Sequence, residues 1–336
     1  MILAHRIRLY PNDVQAAYFS QACGVARFAW NWALAEWKRH CEEGRSVSEA
    51  ELRKKLNAVK REEFPWMLDV TKCAPQLSIK DLGVAFKNFF EGRAGFPQFK
   101  KKGQRESFRI SNDQFVIEGE KMRVPSLGWV RLAESLRFEG KVMGATINRT
   151  AGEWYAAVQV KMTDPAPIHD PSDSSEASVE ITLDGEKLAI LSDGTQTDIP
   201  KEHDALLSRA RRLKRSLTRK VGGTAGEAPS HNFRRAKKKL ARLQNRLSNV
   251  RNDALHRLTT QVTRRYGVIE IEASPASPSD ALTPGTLSPP LPEAEGGRRR
   301  WKSDPLRATS QASAYEFRRQ LEYKARITGS RVKVKE

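Results

Sequence analysis

Apolar residues in the first quarter of the chain recur at intervals of three and four, the spacing that places side chains on one face of a helix. Asn12 and Asp13 are both candidate N-caps for the first of these segments. Ser48 is followed three residues later by Glu51, a spacing that predicts a capping box at the start of the second. The three predicted helices cover residues 13–43, 46–63 and 71–91.

The period of the pattern changes to two between residues 107 and 162, which predicts β-strands. It is clearest over residues 154–161, where Trp, Ala, Val and Val alternate with Tyr, Ala, Gln and Lys. The turn at Thr150-Ala151-Gly152 predicts a hairpin with the preceding strand. Short strands at this spacing are typical of a small barrel. The polar, proline-rich residues 163–177 indicate a domain boundary.

The second half of the chain alternates short strands with long helices. After a strand pair at residues 178–194, leucine stripes on two helices predict an antiparallel helical hairpin with a narrow apolar seam. Residues 273–297 contain six prolines and few large apolar groups, which is typical of a flexible linker. Ser313, with Glu316 three residues later, predicts the start of the last helix.

The charge balance is the strongest functional signal in the composition. Of 336 residues, 59 are Lys or Arg and 40 are Asp or Glu, which gives a net charge of +19 and a pI of about 10.0. The predicted hairpin, residues 201–266, contains 19 basic residues against four acidic ones. A solvated helix face usually mixes its signs, so this imbalance favours a surface that binds the phosphates of a nucleic acid.

Signals for metals and membranes are weak by comparison. The three cysteines, at positions 23, 41 and 73, form no Cys-x-x-Cys pair, and the six histidines lack metal-binding spacing. Isolated cysteines are typical of reduced, cytosolic thiols, and no apolar run is long enough to cross a bilayer. We therefore expect a cytoplasmic, nucleoid-associated bacterial protein with no zinc and no membrane partner.

Seven short segments carry a resemblance to a known family. They are Tyr10-Pro11-Asn12, FAWNWAL, AFKNFF, GFPQFKKKG, VPSLGWV, LAILSDG and FRRQLEYKA. Together, and in this order over nearly the whole chain, they resemble the TnpB family of insertion-sequence RNA-guided nucleases, which are similar to type V CRISPR effectors. The succession of strands and basic helices in the second half also resembles part of a ribonuclease H type nuclease core.

The resemblance implies an α/β multidomain fold in three parts. Residues 1–12 and 93–165 would form a wedge β-barrel, into which residues 13–92 insert as a helical recognition lobe. Residues 178–336 would form an incomplete, truncated RuvC-like domain, similar to ribonuclease H, that carries the basic hairpin and the linker. The implied partners are a guide RNA and a double-stranded target DNA with a short adjacent motif.

The sequence departs from the family at the nuclease site, where carboxylates on neighbouring strands hold two divalent cations. Alignment back from residues 192–194 places Thr182 where the first catalytic aspartate is expected. Glu272 matches the second carboxylate, either as a vestigial ligand or as a leftover strand-end residue. Asp184 shares the strand face of Thr182 and is a candidate weak substitute. The family continues into zinc-binding cysteine knuckles and a final aspartate, whereas this sequence ends at Glu336.

The same resemblance assigns contacts to nucleic acid. Lys72 and Gln76 lie four apart on one predicted helix face, in the segment that contacts the adjacent DNA motif. Both are read equally well as ordinary exposed helix residues. Contacts to the nucleic-acid backbone are expected from Lys100, Lys101, Lys102 and Arg105 in the basic loop, and from Arg209, Arg212, Lys238, Arg242 and Arg246 on the hairpin.

These observations predict an RNA-guided DNA-binding protein without nuclease activity, similar to the TldR group, in which such proteins repress transcription by occluding their target. No catalytic magnesium is expected, and the guide RNA takes the place of a cofactor. Three alternatives stay open: an active TnpB-like endonuclease associated with transposition, a decayed transposon-derived product, and an unguided RNA or DNA binder.

Overall fold

The structure is a computed structural model of a mixed α/β protein. It describes residues 1–163, 168–169, 177–183, 188–220, 229–272 and 305–335, with the backbone alone for 305–313. The chain divides into two compact units, Met1–Thr163 and Asp164–Glu336. The predicted linker at 273–297 and most of the segment 163–177 lie outside the described residues.

Three helices follow the first strand of unit 1, close to their predicted positions. The side chain of Asn12 accepts a hydrogen bond from the Gln15 amide, and the Gln15 side chain accepts one from the Asn12 amide, so Asn12 caps the first helix. Ser48 and Glu51 form the predicted capping box of the second. The helices are α1 (Asp13–Glu42), α2 (Glu49–Val59) and α3 (Cys73–Phe90), with a 3-10 turn at Pro65–Asp69.

A seven-stranded antiparallel sheet forms the other layer of unit 1. Its strands are β1 (Ile2–Tyr10), β2 (Ser107–Ser111), β3 (Val116–Glu118), β4 (Lys121–Val124), β5 (Gly128–Leu132), β6 (Lys141–Thr150) and β7 (Glu153–Lys161). Their order is β2-β6-β7-β1-β5-β4-β3, so β1 lies between β7 and β5. In the pairing of the described strands, β2 and β3 are edges, so the sheet is open where the sequence predicts a barrel. Short, evenly spaced strands suit both arrangements, and only pairing between the edge strands distinguishes them.

The helices and the sheet of unit 1 bury their apolar faces against each other. Phe19 on α1 is fully buried, and its ring centre lies 5.9 Å from that of Phe108 and 5.3 Å from that of Trp154. Ile7 and Val158, which point inward from adjacent strands, are also fully buried. The predicted wedge and recognition lobe therefore share one hydrophobic core.

The described residues of unit 2 form a five-stranded mixed sheet and three long helices. The strand order is β10-β9-β8-β11-β12, in which β8, β11 and β12 are parallel and β9 runs antiparallel to β8. The elements are β8 (Ser178–Thr182), β9 (Ala189–Leu191), β10 (Gln196–Thr197), α4 (Lys201–Thr218), α5 (His231–Arg265), β11 (Val268–Glu272), α6 (Pro305–Thr328) and β12 (Arg331–Lys335).

Helices α4 and α5 form the predicted hairpin, with Leu206 and Ala210 of α4 buried against Leu240 and Leu247 of α5. The C-terminal half of α5 instead joins the core of the sheet, through residues that include Leu258. Helix α5 therefore extends from the core of the sheet into the basic hairpin and fixes the orientation of the hairpin.

The last helix begins earlier than predicted. α6 starts at Pro305, about two turns before the expected cap at Ser313. Because Glu316 lies inside α6 and not in its first turn, its side chain accepts hydrogen bonds from the side chains of Arg319 and Gln320. A Ser-x-x-Glu spacing caps a helix only where the chain enters helical geometry, and within a helix the same residues take other partners. Among the described helices, none has the length and apolar character needed to cross a membrane.

Candidate nucleic-acid interface

The two strands to which the sequence assigns a nuclease site lie side by side. β8 and β11 pair in parallel, with Glu180 opposite Glu270. Two residues further along, the Thr182 hydroxyl donates a long hydrogen bond of 3.5 Å to Glu272 Oε1. The structure thus brings Thr182 and Glu272 together at adjacent strand ends. The candidate substitute Asp184 lies outside the described residues.

Two lysines of β12 lie on the same sheet face. Parallel pairing with β11 places Lys333 beside Glu270 and Lys335 beside Glu272. Lys335 Nζ lies 2.8 Å from Glu180 Oε2 and 3.5 Å from Glu270 Oε2, while Lys333 Nζ lies 3.8 Å from Glu270 Oε1. Lys335 is charged at neutral pH, and the hydrogen bond to Glu180 raises its pKa further. Glu180 and Glu270 therefore face positive charge contributed by the chain itself.

This set of side chains does not fit a pair of divalent cations. Mg²⁺ takes near-octahedral oxygen ligands, and a two-cation site requires several converging carboxylates. Thr182 offers a neutral hydroxyl, Glu272 offers one carboxylate, and the two neighbouring glutamates are engaged by Lys335. Within the described part of the chain, no group of three His, Cys, Asp or Glu side chains is placed to hold a metal ion.

The α4–α5 hairpin presents its predicted phosphate contacts on the outside. Arg246 is exposed but forms an ion pair with Glu202 across the hairpin. The seam residues face inward, and the five predicted contacts lie on the exposed side of the two helices. The other four predicted contacts, all exposed, are Arg209, Arg212, Lys238 and Arg242.

A shallow depression of about 580 Å³ lies near the C-terminal end of α5. Lys324 of α6 donates hydrogen bonds to His256 O and Thr260 Oγ1 beside it, and burial lowers the pKa of Lys324 to about 8. A seven-residue spacing places Arg257 and Arg264 on one face of α5. Neither of them is among the predicted contacts. The lining residues are His256, Arg257, Thr260, Gln261 and Arg264.

The two predicted motif-reading residues lie at the start of α3. Lys72 is the N-cap residue and is exposed, whereas Gln76, in the first turn, is half-buried. Hydrogen bonds from Ser111 and Gln114 lower the pKa of the nearby Asp113, and the charge of Lys72 adds to that effect. Lys72 is therefore more accessible than Gln76, and it lies near the carboxylate of Asp113.

The basic loop that follows α3 separates its four predicted contacts into two kinds. Lys101, Lys102 and Arg105 are exposed. Lys100 is also an exposed residue, but its ammonium lies 3.7 Å from the centre of the Trp30 ring, and desolvation there lowers the pKa of Lys100 to about 8. Three charges of the loop are thus directed to solvent, while the fourth is partly held against α1.

A second basic surface, absent from the predicted contacts, covers the exposed face of the unit 1 sheet. In the strand pairing, Tyr10 lies opposite Arg131, and Trp129 lies opposite Arg123. The guanidinium groups of Arg8 and Arg131 lie 5.1 Å and 5.6 Å from the centre of the Tyr10 ring. Cations and aromatic rings therefore alternate across β4, β5 and β1, a combination that nucleic-acid-binding surfaces use.

The sequence contains a signal for this surface. The segments HRIRLY, KMRV and GWVRL place basic or aromatic residues at every second position, with apolar residues between them. In a strand, that alternation gives one buried face and one cationic face. Reading the period-two pattern for charge as well as for hydrophobicity would have identified Arg6, Arg8 and Arg131.

Comparison with known proteins identifies the family. A sequence profile described as "Helix-turn-helix domain" matches residues 1–46, and one described as "Probable transposase" matches residues 158–273. The chain is 33% identical to the "Putative RNA-guided DNA endonuclease InsQ" of Escherichia coli K12 over 335 aligned residues. The alignment covers 98% of this chain and 79% of that protein. The chain belongs to the TnpB family.

Other relatives of this TnpB-family chain match over a similar extent. A Streptomyces pristinaespiralis protein, also named as an RNA-guided DNA endonuclease, is 28% identical over 96% of this chain and 74% of its own length. A Mycobacterium tuberculosis H37Rv protein with the same description is 27% identical over 98% and 75%. A cryo-EM structure of a Cas12f1–sgRNA–target DNA complex aligns with 94% of this chain and 72% of its own, with a TM-score of 0.46 and 12% identity.

The description of the N-terminal profile does not match the geometry of this TnpB-family member. Residues 1–46 contain β1 and the single uninterrupted helix α1, which is 30 residues long. A DNA-binding helix-turn-helix requires a second helix after a short turn. α2 begins at Glu49, beyond the matched residues, so a recognition helix is not formed within them.

Proposed function

We propose that this TnpB-family chain is an RNA-guided DNA-binding protein that does not cut its target. The observation that carries the proposal is Thr182, a neutral side chain, beside Glu272 at the strand ends where a nuclease site needs paired carboxylates. Lys335 reinforces it by neutralising Glu180 and Glu270 on the same face. In this proposal the protein uses neither catalytic magnesium nor zinc, and its bound partner is the guide RNA.

The architecture that we propose is a wedge with its recognition lobe in unit 1 and a RuvC-like core in unit 2. Support for the second assignment comes from the three neighbouring parallel strands β8, β11 and β12 and from β9, which runs antiparallel to β8. The adjacent ends of β8 and β11, where Thr182 and Glu272 lie, are the position at which ribonuclease H-like enzymes hold their carboxylates.

Guided binding is supported by the relatives, whose names describe RNA-guided DNA endonucleases, and by the basic surfaces. In the proposed complex the hairpin binds phosphates, while base pairing between guide and target supplies the sequence specificity. Lys72 and Gln76 would contact the short adjacent motif of the double-stranded target. A protein that holds DNA without cutting it blocks transcription by occlusion, which we propose as its role at the bacterial nucleoid.

An active endonuclease is the second candidate. The 33% identity to a protein named as an endonuclease favours it. It requires a divalent-cation site built around Glu272 without a carboxylate at position 182. The two candidates make opposite predictions for target cleavage and the same prediction for target binding, so both properties have to be measured on one preparation.

The experiment that tests guided binding is sequencing of the RNA that co-purifies with the protein from cells. We expect one dominant species with a constant scaffold and a variable end. DNA that matches the variable end should then bind far more tightly than scrambled DNA of equal length. A diverse RNA population, with equal affinity for matched and scrambled DNA, would contradict the proposal and favour an unguided binder.

A further inference from the structure

The loop segment 96–100, between α3 and β2, is hydrogen-bonded to α1 although it has no regular secondary structure. The Trp30 indole Nε1 donates a hydrogen bond of 2.9 Å to the carbonyl oxygen of Gln98. Asn31 donates to the Lys100 carbonyl oxygen at 3.0 Å and accepts from the Lys100 amide at 2.8 Å. Two consecutive residues of one helix thus fix the loop before any partner binds, which lowers the entropy cost of binding.

This fixed loop leaves two phenylalanine rings partly in solvent. Phe96 is 39% exposed, and its ring packs edge-on against Phe86 and Phe89 at 5.5 Å and 5.3 Å. Phe99 is 47% exposed. Lys38 Nζ lies 4.9 Å from the centre of the Phe99 ring and 5.4 Å from that of Phe96. Phe96 is therefore supported from one side by neighbouring rings, and both Phe96 and Phe99 are bordered by a cation.

The charge around the rings decides what they bind. Lys101, Lys102 and Arg105 follow directly and are exposed, so the platform lies within a cationic surface. The core of a protein–protein interface is depleted of lysine, which argues against a protein partner. A duplex keeps its bases stacked on each other and offers no free base face to a ring. An unpaired nucleotide offers both a base to stack and a phosphate to neutralise.

We propose that Phe96 and Phe99 form a stacking platform for an unpaired nucleotide, with Lys38, Lys101 and Lys102 binding the adjacent phosphates. The inference rests on the proposed nucleic-acid-binding function, but it requires neither guidance nor the absence of cleavage. The strand that it holds is part of the guide RNA or a DNA strand displaced from the target, and the ribose or deoxyribose form of the probe distinguishes these sources.

The test uses the full chain freed of co-purifying nucleic acid, with 15-nucleotide oligo(U), oligo(dT) and a DNA hairpin duplex as fluorescent probes. Phe99→Leu keeps an apolar side chain but removes the aromatic face. We expect this variant to bind single strands about tenfold more weakly, as the loss of one base–aromatic stack predicts. Duplex affinity and the salt dependence should stay as in the parent. A larger loss for oligo(U) assigns the platform to RNA, and a larger loss for oligo(dT) assigns it to DNA.

Two control variants distinguish the loss of base stacking from the loss of any exposed aromatic ring and from the loss of a charge. Trp66 is also 39% exposed, and its ring packs edge-on against Phe28 and Phe64, so Trp66→Leu should leave every affinity unchanged. Lys101→Gln should instead reduce the slope of log affinity against log salt by about 0.7 for single strands.

The proposal is overturned if Phe99→Leu leaves single-strand affinity unchanged, or weakens duplex binding equally, while its thermal unfolding matches the parent. If Phe99→Leu does not fold, photocrosslinking of a 5-iodouracil oligonucleotide to the parent protein decides, since a crosslink to Phe96 or Phe99 is required. Failure of the parent protein to bind any of the probes would instead refute the nucleic-acid-binding function itself.

Discussion

Replacing Thr182 with aspartate is expected to destabilise unit 2 without creating a nuclease. The new carboxylate would stand where the hydroxyl now lies, 3.5 Å from Glu272 Oε1. Two like charges about 4 Å apart repel by about 1 kcal/mol in water and about 4 kcal/mol at an effective dielectric constant of 20. Glu272 is exposed, so the lower end applies, and we expect a loss of about 1 kcal/mol in the free energy of unfolding at pH 7.

Urea unfolding of the parent, Thr182→Asp and the uncharged control Thr182→Asn measures this effect. The difference between the two variants should disappear toward pH 3, where a carboxyl of the variant pair takes up a proton and the repulsion ends. In a cleavage assay with guide, target and Mg²⁺, we expect no product from either variant, because Glu180 and Glu270 remain engaged by Lys335. Cleavage by Thr182→Asp would refute this account of the donor set, and equal stability of both variants at pH 7 would refute the placement beside Glu272.

Three further predictions follow from named contacts. Hydrogen bonding from Tyr266 lowers the pKa of Asp193 to about 2, so Asp193→Asn should lower the Tm at pH 7. The stabilisation that Asp193→Asn removes is present above about pH 4 and is lost as the pH falls toward 2. Melting curves of parent and variant that coincide at pH 7 would refute the contact. Changing Lys238 and Arg242 together to Gln should reduce the salt slope of duplex DNA binding by about 2, and an unchanged slope would exclude them as phosphate contacts. Leu247→Ala should cost about 2–5 kcal/mol in urea unfolding, because this side chain is buried in the hairpin seam, and a loss well below 1 kcal/mol would argue against the seam.

Helix starts were predictable because capping is local chemistry. Asn12, one of the two candidate caps, caps α1, and Ser48 caps α2 with its predicted partner Glu51. The same reasoning was wrong at Ser313, because α6 already extends back to Pro305 and the signal falls inside it. The open form of the first sheet was also beyond local reasoning, since closure depends on pairing between β2 and β3, which lie at opposite edges.

The candidate site likewise has some features that the sequence predicts and others that depend on tertiary structure. The position of Thr182 was predictable from a resemblance in sequence, and its contact with Glu272 follows from parallel pairing of β8 and β11. The role of Lys335 was not predictable, because the register of β12 against β11 is a tertiary property. Packing of Lys100 on Trp30 is tertiary as well, and the run of lysines in the sequence does not distinguish it from its neighbours.

The most direct test of the central claim is incubation of the protein, loaded with its co-purified RNA, with matched target DNA and either Mg²⁺ or Mn²⁺. Binding and strand integrity are read from the same samples, by footprinting and by denaturing gel. The account predicts a guide-dependent footprint on intact strands with both metals. A cut or nicked target that appears only with matched guide and divalent cation would contradict it.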